Sequence, residues 1–118
     1  MGESLRMDSP LVRIDARRIV DRESFHDVFA EALGFFDGYG RNMDAWIDCL
    51  SDPGLARIDV APGDVVTLQI DYVDDFAERC PDIYEDLIEC AAFVNWRCVE
   101  RGLGPALALA FSKKPPRT

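Results

Sequence analysis

Two aspartates in the segment GYGRNMDAWIDCL stand four positions apart. In a helix this spacing places Asp44 and Asp48 on one face, with Cβ atoms about 5–6 Å apart, and the two carboxylates repel each other. A helical wheel places Trp46 on the opposite face, where it is predicted to anchor the helix in the core. Met43 and Ile47 fall between the two faces and are expected to be partly exposed. The helix should therefore offer two carboxylates bordered by apolar side chains.

Such a pair of carboxylates has three interpretations. The first is an ordinary solvated helix face, and the second is an enzyme that uses Asp37, Asp44 and Asp48 for acid–base or metal chemistry. The enzyme hypothesis is weak because the chain has no nucleophile motif, no second histidine and no phosphate-binding loop. The third is a surface that binds a basic partner, which the preceding glycine-rich loop and its aromatics favour, since exposed aromatics beside charges are typical binding anchors. These aromatics, predicted to be exposed, are Phe35, Phe36 and Tyr39.

The overall charge favours a basic partner. The 118 residues include 22 acidic and 13 basic side chains, which gives a net charge of −9. A field of this sign repels nucleic acid and anionic membranes and steers basic proteins toward the surface. We therefore expect no direct binding to nucleic acid and no membrane association, and we expect a monomer.

Cysteine and histidine usage predicts neither a metal nor another cofactor. The four cysteines form no CxxC pair, and His26 is the single histidine. His26 is expected to be a surface or half-buried residue, and Cys49 to be a small apolar residue on the buried side of its helix. The N-terminus has no apolar stretch of signal-peptide length, so a cytoplasmic protein with reduced thiols is predicted.

The first half of the chain predicts a strand and two helices. Leu11–Arg17 alternates apolar and polar residues as a strand does. Asp21 or Ser24 can cap a helix that continues through Leu33. After the glycine-rich loop, Asn42 is a suitable N-cap for a helix from Met43 to about Leu50.

The second half predicts two more helices and two more strands. Val65–Ile70 is nearly continuously apolar, which is typical of a strand covered on both faces. A short helix capped by Asp74 or Asp75 follows, and then a long helix that begins at Pro81 and ends near Gly102 or Gly104. The last buried strand is predicted over Ala106–Phe111.

Strands separated by helices predict an α/β fold with a small three-stranded parallel sheet and helices packed on it. We expect residues 11–112 to form a single domain between a flexible N-terminus, residues 1–10, and a basic C-terminal tail, residues 113–118.

The segment YGRNMDAWIDCL closely resembles the signature of the barstar-like family of ribonuclease inhibitors. There the pattern is Tyr-Gly, one variable residue, Asn, a hydrophobic residue, Asp-Ala, two apolar positions and Asp-Cys-Leu. The order of predicted strands and helices matches that family along most of the chain.

The resemblance implies an intracellular inhibitor, not an enzyme, that blocks the active site of a basic ribonuclease or ribonuclease toxin and so protects the producing cell or confers immunity. Asp48 would take the place of the substrate phosphate, and Asp44 would pair with a neighbouring basic group. The same contact would be lined by Tyr39, Gly40, Asn42, Met43 and Ile47. The alternative is the same fold used for a basic partner that is not a nuclease.

Several positions depart from the family pattern. Gly38 and Ile47 stand where the family has aromatic residues, and Arg41 replaces an acidic one. The long helix has no acidic residue over 95–97, where the family has a glutamate that contacts the enzyme, and Glu100 is the nearest. The chain is also longer between Leu50 and Val65.

Overall fold

A computed structural model describes residues 10–52 and 64–113 of the chain. Its helices and strands alternate as the sequence predicts, and a short 3₁₀ turn, Ala16–Arg18, follows the first strand. The elements in chain order are β1 (Leu11–Asp15), α1 (Arg22–Leu33), α2 (Met43–Ser51), β2 (Val66–Asp71), α3 (Val73–Arg79), α4 (Pro81–Glu100) and β3 (Leu107–Ser112).

The three strands form one parallel sheet with β2 in the centre. Ile70 lies in register with Ile14 of β1 on one side and with Phe111 of β3 on the other. Parallel neighbours need a crossover connection, and helices supply it here, as is usual for this arrangement. The predicted fold class is confirmed.

Only one face of the sheet is packed on the core within the described residues. Val66, Leu68 and Ile70 of β2 are buried, whereas Thr67 and Gln69 between them are half-buried. Among the described residues, β2 is therefore buried on one face and half-buried on the other, whereas the sequence predicts a strand covered on both faces. The central position of β2 explains its apolar sequence, because side chains from both neighbouring strands flank its inner residues.

Both residues proposed to cap α1 take part in its N-terminus. The Asp21 carboxylate accepts a hydrogen bond from the Ser24 backbone N–H at 2.8 Å, and the Ser24 hydroxyl accepts one from the Asp21 N–H at 3.0 Å. This reciprocal capping box satisfies two backbone donors that the helix leaves unpaired.

The start of α3 differs from the prediction. Tyr72, in the left-handed region at φ 60°, precedes the helix, and Asp74 and Asp75 lie inside its first turn. The Arg17 guanidinium lies over the Tyr72 ring at 4.0 Å from its centroid. Neither aspartate caps α3, because Tyr72, two residues before Asp74, occupies the N-cap position.

The apolar stripe of α4 packs on the core as predicted. The residues of this stripe, all buried, are Ile83, Leu87, Ala91, Val94 and Cys98. Pro81 begins the helix, where its missing N–H costs nothing. Gly102 and Gly104, both at φ 77°, follow the end of α4 and turn the chain back toward the sheet.

Part of the predicted organisation lies outside the described residues. Apart from Pro10 and Lys113, the two predicted terminal segments are not described, and neither are residues 53–63 of the extension after Leu50. The proposed domain limits therefore stay predictions. None of the described helices is long and apolar enough to cross a membrane.

The amide of Asn95 joins α4 to the beginning of β3. Its oxygen accepts hydrogen bonds from the backbone N–H groups of Ala106 and Leu107, both at 2.8 Å, and its nitrogen donates to the Leu107 carbonyl at 3.0 Å. One side chain thus pairs three backbone groups where the chain enters its last strand.

We predict that Asn95→Ala destabilises the protein by about 2–3 kcal/mol, since three partly buried backbone groups lose their partner. Urea denaturation followed by circular dichroism measures the change, with Glu89→Ala on the exposed side of the same helix as control. A loss below about 0.5 kcal/mol, the range of ordinary surface substitutions, would show that other contacts hold the start of β3.

Candidate functional site

The helix α2 begins as the sequence predicts. The Asn42 side-chain oxygen accepts a hydrogen bond from the Ala45 N–H at 2.8 Å, and helical residues run from Met43 to Ser51. The cap satisfies one of the free donors of the first turn, where Asp44 also gains from the helix dipole.

Trp46 fixes the orientation of α2. Its side chain is 0% exposed and packs on two rings of α1, with centroid distances of 6.2 Å to Phe25 and 5.7 Å to Phe29. Asp44 and Asp48 consequently lie exposed on the opposite side of the helix, as predicted. The buried Trp46 and the two exposed carboxylates thus lie on opposite faces of the short helix α2.

Ile47 is more buried than the helical wheel indicates. It is 8% exposed, so the prediction that it is partly exposed is wrong, whereas Met43 is half-buried as expected. The cause is α4, which packs along α2. Arg101, which follows α4, donates a hydrogen bond to the Ser51 carbonyl at the end of α2. Two neighbouring helices widen the buried arc of α2 beyond the side that faces α1.

Two of the three loop aromatics are buried, contrary to the prediction. Phe35 and Tyr39 pack against each other with centroids 4.7 Å apart, whereas Phe36 is 40% exposed. The Phe36 ring lies over Gly38, where an added Cβ would come within 2.7 Å of it. Phe36 therefore supplies the exposed aromatic of this loop, and Gly38 leaves room for its ring.

A buried hydrogen bond ties the loop to α1. The Nδ1 atom of His26 contacts the hydroxyl of Tyr39, and both side chains are buried, so the expectation that His26 is a surface or half-buried residue is wrong. Burial lowers the pKa of His26, and the nearby cations Arg41 and Arg22 lower it further, while Asp27 opposes them. Burial also raises the pKa of Tyr39. The pair is therefore neutral near pH 7 and holds the loop that leads into α2.

Arg41 turns away from the α2 carboxylates. Its guanidinium pairs with Asp27 at 2.8 Å and donates to the Glu23 carbonyl at 3.1 Å, both on α1. Its backbone is in the left-handed region at φ 58°, which an arginine adopts only under constraint. The positive charge that the sequence places beside the aspartates is thus tied to another helix.

Arg97 of α4, for which the sequence predicts no role, contacts Asp48. The distance from Nη1 to Oδ1 is 2.7 Å, and 49 positions separate the two residues in the sequence. Asp44 forms no ion pair with any residue that the structure describes. The sequence shows that residues 95–97 include no acidic residue, but this does not predict the ion pair between Arg97 and Asp48.

Asp71, at the end of β2, has hydrogen-bond partners within the sheet. Asp71 accepts hydrogen bonds from Arg13 at 2.9 Å and from Gln69 at 2.9 Å. In the part of the chain that the structure describes, no three His, Cys, Asp or Glu side chains gather in a group that could hold a metal ion. All four cysteines are free, and Cys49 is buried as predicted.

Comparison with known protein families identifies a match. The family model described as Barstar (barnase inhibitor) matches residues 9–110, which is most of the chain. No curated protein matches the sequence. The matched range includes the loop, α2 and α4.

We predict that stability falls as the pH is lowered from about 7 to 5, and that His26→Gln reduces this fall. The unfolded chain takes up a proton near pH 6.5, the usual His pKa, before folded His26 does, so acid favours unfolding. Urea denaturation at several pH values measures how the free energy of unfolding depends on pH. The chain has no second histidine that could contribute to this dependence. An equal slope in the variant would exclude His26 as its source.

Proposed function

The chain belongs to the barstar (barnase inhibitor) family, and we propose that it inhibits a basic ribonuclease by placing the exposed face of α2 in the enzyme's active site. In this proposal it acts as a monomer in the cytoplasm and catalyses no reaction itself. The observation that carries the proposal is the exposed pair Asp44 and Asp48 on the face of α2 opposite the buried Trp46.

The chemistry of a ribonuclease active site matches this pair. An enzyme that cleaves RNA surrounds a phosphate with cationic side chains, and a carboxylate can occupy the same place because it accepts the same charge-assisted hydrogen bonds. The Asp48 side chain is 60% exposed, so one of its oxygens is accessible from solvent although the other contacts Arg97. Asp44, one turn earlier, can take a second basic group.

The pair also provides selectivity. Repulsion between the carboxylates is relieved when cations dock against them, whereas a partner without cations would leave them desolvated and unpaired. The net charge of −9 adds long-range steering of a basic protein. Together these terms favour rapid and selective association.

The remaining predicted contact residues divide into two groups. Gly40 and Asn42 are exposed and Met43 is half-buried, so all three can contact a partner directly. Tyr39 and Ile47 are buried in the free protein and support this surface from beneath. The exposed Phe36 extends the proposed contact to the loop.

We predict that Asp48→Asn raises the inhibition constant for a purified barnase by at least about 30-fold, the size expected for a central hot spot. Asp44→Asn should weaken inhibition to a smaller extent. RNA cleavage at increasing inhibitor concentration measures the constants. Asp74→Asn on α3 is the matched control, since it removes the same charge from an exposed helical position elsewhere.

Stoichiometric inhibition by the wild type and by Asp74→Asn, lost in Asp48→Asn, would support the proposal. Equal inhibition by all variants would place the contact elsewhere on the protein. Absence of inhibition by the wild type at micromolar concentration would contradict the proposal for barnase, and affinity capture from the native cell would then be needed to find the partner.

We predict that Gly40→Ala leaves folding intact but weakens inhibition about tenfold or more. A Cβ at Gly40 would meet Ala45 and Asn42 at 3.5 Å, an ordinary contact distance, so the free protein can accept it. In the complex the methyl group would separate two closely packed backbones. Thermal unfolding and the inhibition assay give the two readings, and unchanged inhibition would show that the partner does not approach Gly40.

A further inference from the structure

An internal cation occupies part of the surface proposed to bind a partner. Arg97 Nη1 lies 2.7 Å from Asp48 Oδ1, and the arginine side chain is 30% exposed against 60% for the aspartate. The guanidinium therefore sits deeper than the carboxylate, at the junction of α2 and α4. A partner's cation that approaches Asp48 meets a carboxylate that Arg97 already contacts through Oδ1.

The Arg97 guanidinium makes a second contact, with an aromatic ring. Its guanidinium lies over the Phe93 ring, one helical turn earlier, at 5.4 Å from the ring centroid. A cation held by both an aromatic face and a carboxylate is better ordered than one in a simple surface ion pair. Because Arg41 is tied to α1, it does not share this role.

We propose, building on the function proposed above, that Arg97 is a specificity-determining residue that competes with a partner's cation for Asp48. A partner that places basic groups opposite both α2 and α4 must displace Arg97 and then tolerate its like charge. The residue thus weakens binding to wholly basic clefts. It acts as a repulsive element beside the attractive carboxylates, which is a common means of selecting among related partners.

The test compares Arg97→Gln with a control that changes the charge equally. Arg18 forms an ion pair with Glu31 at 2.8 Å away from α2, so Arg18→Gln also frees one carboxylate and makes the protein more acidic by one charge. With purified barnase as probe, Arg97→Gln should lower the inhibition constant at least about fivefold, and Arg18→Gln less than twofold. In the Asp48→Asn background Arg97→Gln should no longer improve inhibition, since the contested carboxylate is absent.

The outcomes separate this inference from the proposed function. If the wild type inhibits barnase and Arg97→Gln is no better than Arg18→Gln, the role of Arg97 is overturned while the inhibitor proposal stands. If the wild type inhibits barnase and Arg97→Gln inhibits at least about fivefold better, both proposals are supported. Inhibition by Arg97→Gln alone would support the role of Arg97, whereas the inhibitor proposal would fail for the natural protein with that enzyme.

If no variant inhibits barnase, the inhibitor proposal fails for that enzyme, and a hexa-arginine peptide replaces barnase as the probe. Calorimetry at low salt would then have to show tighter binding to Arg97→Gln than to Arg18→Gln, a difference lost with Asp48→Asn. Equal binding would overturn the role of Arg97. Circular dichroism verifies that each variant is folded.

Discussion

The packing of Trp46 against the α1 rings is the interaction on which the candidate site depends. A helix of nine residues is too short to be stable alone, so tertiary packing must hold α2 in place. Once Trp46 is buried, the 100° rotation per residue fixes where every other side chain of the helix points. Asp44 and Asp48 are exposed because the opposite face is anchored. The charge pair is therefore positioned by a hydrophobic contact and not by electrostatics.

The charge that the surface around α2 presents depends on individual ion pairs as well as on the net charge of the protein. Arg41 and Arg97 each already form an ion pair with a carboxylate, Arg41 with Asp27 and Arg97 with Asp48. Asp44 alone of the α2 pair has no ion pair among the described residues. The surface thus presents one open carboxylate and one that is partly neutralised, whereas the sequence suggests two equivalent charges. Such asymmetry favours discrimination among basic partners, since each cation meets a different environment.

The loop before α2 gains its order from buried groups. The His26–Tyr39 hydrogen bond and the Phe35–Tyr39 ring contact fasten it to the core, and the Asn42 cap joins it to the helix. A preordered loop loses little conformational entropy when it docks, which favours affinity. Burying Tyr39 removes an aromatic from direct contact, but it makes the exposed segment around Gly40 more rigid.

The sequence by itself determined the features that depend on local periodicity and turn chemistry. These are the alternation of strands and helices, the cap at Asn42, the stripe of α4 and the opposition of Trp46 to the aspartates. Tertiary structure alone decided the burial of Ile47, Tyr39 and His26, the half-buried outer side of β2 and the Arg97–Asp48 pair. A helical wheel describes one helix in isolation, whereas burial depends on every neighbour that packs against it. An ion pair between residues 49 positions apart forms only because α2 and α4 pack against each other. The residue periodicity within either helix does not predict that packing.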